Sequence, residues 1–312
     1  MIKYVPSSGY AVDIKLKHLN QCLLCESPKR RPRYSLGSVQ VFTCVSCGLS
    51  YLDPCLDPSS MIAAYESTDA LKSFHEFHGR YYDYGDLDRR TRTVEDFERI
   101  LNFLEENVKG SERSLYEVGF GNGLFLALAK RRGWHVQGID SSARNAELAK
   151  EKFNLDLQTG WFQNVNGSVS HYDVVTMLDL IEHQDNPLSF IRKASQILKT
   201  GGFLVLACPN EQSFMRMMGG ALYRLTGGKV TYGLDMIFCW EHLACYNRKT
   251  LSYLLRRGPL EPVLSFYTST DLDRYEFRPV EKMLARAVLS LGRMIGKQNR
   301  IVMIGRKTGD VR

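Results

Sequence analysis

The stretch LYEVGFGNGLFLALAKRRGWHVQGID, residues 115 to 140, decides the architecture. Leu115 to Val118 is a short apolar run with β character, Gly119, Gly121 and Gly123 punctuate a turn, and Leu124 to Arg132 has the composition of a helix. Glycines suit a place where the backbone turns tightly and lies against a ligand, because a Cβ would occupy the ligand's space or forbid a positive φ. The helix behind them presents unpaired amides at its N-terminus. A second strand, His135 to Ile139, ends at Asp140, where a nucleotide-binding βαβ unit carries the acid that holds the ribose hydroxyls. The unit is predicted to bind a nucleoside.

The details select which one. A dinucleotide fingerprint is GxGxxG and a phosphate loop ends in Gly-Lys-Ser/Thr, whereas this loop is GxGxG without lysine and follows the acid Glu117. Two acids around the loop repel phosphates and suit a ligand with a positive charge and a ribose. The segment resembles the first motif, acid-V-G-x-G-x-G, of the class I S-adenosylmethionine-dependent methyltransferases. The resemblance implies cofactor contacts from Glu117, Gly119, Phe120, Gly121 and Gly123, with Asp140 on the ribose and Ser141 beside it.

Working outward, the βα alternation continues, as in a parallel sheet covered on both faces. Ser142 to Phe153 reads as a helix, Leu155 to Gln158 as a third strand, Tyr172 to Met177 as a fourth, and Pro187 to Leu198 as a helix with proline in its first turn. KTGG at 199 to 202 is expected to be a C-cap turn before a fifth strand, Phe203 to Ala207. Leu264 to Tyr267 and Arg300 to Gly305 complete a Rossmann-like α/β sheet of seven strands, mostly parallel with the last antiparallel. HYDVVTMLDLIEH and LKTGGFLVLACPN resemble the fourth and fifth strand segments of the same family, which places Met177 and Asp179 at the cofactor edge. Where the family commonly has an acid for the adenine amino group, this chain reads QTGWFQNV. Trp161 and Phe162 are expected to sandwich the ring, with Gln163 in place of the acid.

Four of the eight cysteines form a pattern. Cys22 and Cys25 make one CxxC, Cys44 and Cys47 another, with a spacing that fits a four-thiolate zinc ribbon. Tyr34 to Phe42 has the look of a hairpin bent at Gly37-Ser38 that returns the second pair to the first. Cys55, Cys208, Cys239 and Cys245 read as packing residues. The expected organisation is a ribbon over 1–56 ending in the YLDPCLDPSS linker, an aromatic and helical cap over 57–110, and a methyltransferase domain over 111–312. The cap carries Tyr65, Phe74, His75, Phe77, His78, Tyr81, Tyr82 and Tyr84, and the amphipathic helix 89–107 with Val94, Phe97, Ile100, Leu101 and Leu104 on one face.

Hydrophobic residues make up 44% and charged residues 24%, ordinary for a globular chain, and the net charge of +7 favours acidic partners or an anionic membrane without establishing either. No apolar run approaches the ~18 residues of a membrane span and MIKYVPSSGY lacks signal-peptide character, so a cytoplasmic protein is expected. Residues 280–297 combine the stripe Val280, Met283, Leu284, Ala287, Val288, Leu291 and Ile295 with Lys282, Arg286, Arg293 and Lys297. Such a helix packs on its own domain or lies on the inner face of a membrane. The insertion 208–242, with Phe214, Met217, Met218, Leu222 and Leu225 at helical spacing, is expected to cover an acceptor site.

The resulting expectation is S-adenosylmethionine-dependent methyl transfer, most simply to a hydroxyl of a small-molecule, lipid or sugar-linked acceptor, with a structural Zn²⁺ in the ribbon. His183 in the EH pair and His242 in EHL are the candidate bases. An RNA methyltransferase and a non-catalytic cofactor-binding or scaffold protein are the alternatives; nucleic acid is the less favoured partner, since no long Lys/Arg tract is present.

Overall fold

Both cysteine pairs are brought together by a β-hairpin whose turn depends on glycine. Strands β1 (Arg30–Leu36) and β2 (Val39–Cys44) pair antiparallel, and Gly37 between them has φ of 61°, a conformation open to a residue without Cβ. The computed structural model describes residues 2–4, 12–37, 39–57, 60, 87–165, 171–231, 234, 238, 242–274 and 277–309. The aromatic segment expected over 65–84 lies outside them, as do Ser38, Cys239 and Glu241.

The expected linker is core over residues 51–56. Strand β3 (Ser50–Asp53) extends the hairpin sheet, and Tyr51, Leu52, Cys55 and Leu56 are all at most 1% exposed. The first Asp-Pro step marks the end of β3 rather than an exit from the fold, because the flanking apolar side chains turn inward.

Helix α1 (Arg92–Asn107) begins at Thr91, whose hydroxyl accepts the Val94 N–H at 3.3 Å, and buries Val94, Ile100, Leu101 and Leu104. The sheet follows: β4 (Ser114–Val118), α2 (Leu124–Arg131), β5 (His135–Asp140), α3 (Ala143–Phe153), β6 (Gln158–Thr159), β7 (Tyr172–Leu178), α4 (Pro187–Ile197) and β8 (Leu198–Pro209). The third strand is shorter than expected. Beyond β8 come α5 (Phe214–Leu225), β9 (Ala244–Cys245), α6 (Arg248–Arg257), β10 (Leu260–Thr268), α7 (Pro279–Met294) and β11 (Arg300–Lys307).

Seven strands form one sheet in the order β6-β5-β4-β7-β8-β11-β10, parallel except for β11, which runs antiparallel to both neighbours. Leu115, Tyr116, Glu117 and Val118 are all buried, as expected of a central strand covered on both faces. From β4 the chain winds one way through β5 and β6 and the other way through β7 and β8, so the crevice between the carboxyl ends of β4 and β7 is the switch point where ligands collect. KTGG is part of β8 rather than a turn: the register against β7 shifts between Tyr172 and Val174, and a Cβ on Gly202 would fall 2.8 Å from the Asp173 carbonyl. The glycines serve a bulge.

The ribbon and the seven-stranded sheet domain share one core. Strand β9 pairs with β3 to complete a four-stranded sheet, and Tyr34 of β1 stacks edge-on with Tyr223 of α5 at 5.2 Å and against Phe238 at 5.7 Å. Helix α5 in turn meets α7 at Gly292, where a Cβ would fall 3.3 Å from that of Phe214. The stripe on α7 does not pack inward: Val280, Met283, Leu284 and Leu291 are exposed, and Gly292 is the buried residue of the helix. Among the described residues, no helix is long and apolar enough to cross a membrane.

Candidate cofactor and acceptor site

At the end of β4 the loop turns three times through positive φ, at Gly119 (72°), Gly121 (56°) and Gly123 (81°). The Gly119 N–H donates to the Ile139 carbonyl at 2.8 Å and ties the loop to β5. A Cβ on Gly123 would sit 2.9 Å from that of Ala149, so this glycine lets α2 and α3 approach. Asp140 organises the other wall. Its Oδ2 accepts the Gly121 N–H at 2.9 Å, while Oδ1 accepts the Ser142 N–H at 2.9 Å and the Asn145 side-chain amide at 3.1 Å.

Glu117 lies beneath this cradle, 2% exposed, and its Oε2 has no hydrogen-bond partner among the described residues. Burial, and then the nearby Asp140, hold its carboxyl well above the ordinary range. Burial also raises Asp140, against the lowering effect of its three donors. An unpartnered buried acid and a second acid beside a glycine cradle fit a ligand that brings a cationic group and hydroxyl donors.

Glu117 has a consequence for stability. A carboxyl whose folded pKa is raised adds no penalty below the unfolded carboxylate pKa; above it the native state loses stability progressively, and the penalty is complete once pH passes the folded pKa. Glu117→Gln is therefore expected to melt higher than the parent at pH 8 in the absence of cofactor, with the gap closing toward pH 4, while binding S-adenosylmethionine more weakly. Thermal melts across that range check it, and a variant less stable at every pH would show that the carboxylate is already satisfied.

The remaining predicted contacts divide. Trp161 is 39% exposed at the rim, following Gly160, whose N–H donates to the Asp140 carbonyl at 2.8 Å. Ser141 is half-buried beside the acid. Phe162, expected on the adenine, is instead buried against Tyr116 (6.4 Å) and Phe190 (5.8 Å), so it cannot form one side of a ring sandwich. Gln163 is exposed, and its carbonyl accepts from the Lys193 amine. The Phe120 ring packs over Gly138 in the core, which leaves only its backbone to the loop. Met177 is fully buried within β7. Asp179, at φ of 55°, is held by Arg300 of β11 and by its own N–H to the Ala207 carbonyl at 2.8 Å.

His183 and His242, candidate bases from distant segments, meet with ring centroids 4.9 Å apart. Glu182 joins them: one ligand atom from each of Glu182, His183 and His242 lies within 4.8 Å of the others. The short helical turn Ile181–His183 after β7 supplies two of these side chains. His242 is placed by the ribbon, because the next carbonyl, of Leu243, accepts the Leu52 N–H at 3.1 Å and β9 then pairs with β3. Sequence reasoning gave Glu182 no role, although the EH pair was the signal available; nothing local marked Arg300 as the partner of Asp179.

The four ribbon cysteines also converge, with Cys22 and Cys47 sulfurs 3.6 Å apart and Cys25 and Cys44 sulfurs 3.5 Å apart. These exceed a disulfide bond, and they approach the ~3.8 Å edge of a tetrahedron with Zn–S bonds of about 2.3 Å.

The Methyltransferase domain family matches residues 88–272. The Ubiquinone biosynthesis O-methyltransferase of Marinobacter nauticus is 32% identical over 135 residues, covering 40% of this chain and 57% of that protein. The enzyme of the same name from Saccharophagus degradans is 27% identical over 164 residues, covering 50% and 68%. The chain thus spans little more than half of the first relative's length. In fold it is similar to the Burkholderia thailandensis 1,6-didemethyltoxoflavin-N1-methyltransferase, solved with S-adenosylhomocysteine bound, at a TM-score of 0.50 and 14% identity over 89% of this chain and 100% of that one. Since the match spans more than half of the residues and takes in the strand, glycine loop and paired acids at the switch point, the chain belongs to the methyltransferase domain family of S-adenosylmethionine-dependent enzymes.

Proposed function

We propose that the protein methylates a hydroxyl oxygen of a small-molecule or lipid-like acceptor. The observation that carries this reading is the convergence of His183, His242 and Glu182 just beyond β7, on the sheet edge that also bears the glycine loop, Asp140 and Asp179. The cofactor supplies a methyl group already activated on a sulfonium. The chain's remaining tasks are to position the acceptor and to deal with its hydroxyl proton. Glu117, the loop and Asp140 serve the cofactor; the histidine cluster serves the acceptor. The relatives named for O-methylation in ubiquinone biosynthesis favour oxygen as the nucleophile. The exposed apolar residues of α5 (Met217, Met218, Leu222) and α7 (Val280, Met283, Leu284) suit an acceptor with an apolar tail.

His242→Ala is expected to lower turnover by about a hundredfold, the scale of proton-transfer assistance, while cofactor affinity stays within about twofold. Radiolabelled methyl donor with cell extracts, followed by product analysis, identifies the acceptor. Label in an ether-linked methyl of a lipid or phenol is the expected outcome. Label in RNA, or wild-type turnover in the variant, would remove the reading.

We also propose that Cys22, Cys25, Cys44 and Cys47 hold a structural Zn²⁺, the cation whose four-coordinate preference fits a closed set of four thiolates.

A further inference from the structure

We infer that Glu182, His183 and His242 form a second metal site, distinct from the cysteine cluster, which takes one divalent cation of the Zn²⁺ or Mn²⁺ kind and presents it to the acceptor's hydroxyl oxygen. The role given to the cation rests on the O-methylation reading; the site itself rests on geometry. One ligand atom from each of the three side chains lies within 4.8 Å of the other two. Nitrogen and oxygen ligands at about 2.0–2.2 Å from one ion stand roughly 3 to 4.5 Å from each other, so modest rotamer adjustment closes the three around a single cation.

Glu182 is the second, independent observation. It is 2% exposed, and neither of its carboxylate oxygens has a hydrogen-bond partner among the described residues. A buried carboxylate without donors is costly unless a cation or a proton answers it. The nearby guanidiniums act on Glu182 only through their charge. Arg300 is paired with Asp179, and Arg216 lies over the Phe238 ring at 4.6 Å; neither donates to Glu182. Glu182 is held in a short helical turn, beside His183, which shares its edge with His242.

The donor set points to chemistry rather than scaffolding. Two imidazoles and one carboxylate leave coordination positions open, as in catalytic zinc and non-haem iron sites, whereas the four thiolates of the ribbon leave none. A general base would need one histidine, and here two converge on the same carboxylate. A hydroxyl bound to the cation gives up its proton more readily. In the transfer, that proton leaves to water, the acceptor oxygen bonds the methyl carbon, the carbon–sulfur bond breaks, and sulfur keeps the electron pair as a neutral thioether. His183 and His242 act as ligands in this step. The ribbon contributes by holding His242 through the β3–β9 pairing.

Full-length protein with its cysteine-bound metal in place, titrated with Mn²⁺ and followed by electron paramagnetic resonance, tests the site. Mn²⁺ is a poor partner for thiolates, so the ribbon stays silent. One saturable Mn²⁺ per chain is expected in the parent, with affinity falling at least tenfold in both Glu182→Gln and His242→Ala. Glu182→Gln keeps the side chain's shape while weakening its ligand group, and should remain folded by circular dichroism, which keeps the comparison sound if His242→Ala does not. Absence of saturable binding, or equal binding in a folded Glu182→Gln, overturns the site. In the transfer assay, chelator-treated enzyme should lose activity and regain it with added Mn²⁺ or Zn²⁺. Full transfer to a hydroxyl after chelation overturns the inference and leaves the O-methylation reading standing. Tight Mn²⁺ binding with label found only on nitrogen or carbon overturns that reading instead, and with it the cation's assigned role.

Discussion

Asp140→Ala is expected to weaken S-adenosylmethionine binding by about ten- to a hundredfold, or roughly 1.5 to 3 kcal/mol, the range for hydrogen bonds to a charged group. The carboxylate has two jobs. It stands at the place where the family's acid accepts from the ribose, and it accepts N–H groups from Gly121, Ser142 and Asn145 that shape the cradle before any ligand arrives. A carboxylate offers about four lone-pair sites, so three protein donors leave one for a ligand hydroxyl. Removing it should therefore reduce the melting temperature of the free protein as well as affinity. Asp140→Asn, which keeps the shape and one acceptor oxygen, should recover part of the stability and little of the affinity. Calorimetry returning unchanged affinity in the alanine variant would mean that the ribose is held elsewhere.

Cys44→Ser is expected to strip the ribbon of its metal and loosen the acceptor side of the molecule. Structural zinc in small peptides contributes an apparent ~10–16 kcal/mol, folding energy that a three-thiolate site largely forfeits. Cys44 ends β2 and begins the knuckle, with its N–H donating to the Leu49 carbonyl at 2.8 Å and its carbonyl accepting from Gly48 at 3.0 Å. The loss should spread through β3 to β9 and so to His242, whereas Glu117, the glycine loop and Asp140 lie on the main sheet. Elemental analysis should give at least one zinc fewer per chain in the variant than in the parent. Hydrogen exchange should lose protection over 30–56 and 242–246 but not over 114–140. A metal-free parent with full protection would end the zinc proposal. Exchange confined to the ribbon would show that β9 is held without it.

What the sequence determined by itself is local. Turns at Gly119, Gly121 and Gly123 follow from glycine's access to positive φ, and the acids around them follow from their position at strand ends. The cysteine spacing implied the knuckles, the alternation of apolar runs with helical stretches implied the sheet, and the resemblance to the methyltransferase family implied the antiparallel last strand. Periodicity says which residues share a face; it does not say what covers that face. Thus Phe162 turned inward against Tyr116, YLDPC became buried strand, and the stripe on α7 stayed exposed. Only tertiary structure decided that residues 244–245 join the ribbon sheet, that Arg300 answers Asp179, and that His183 and His242 meet over Glu182. Each of these contacts joins segments far apart in the chain, and the burial that makes an unpartnered Glu182 informative is a property of everything packed around it, with no counterpart in the residues beside it.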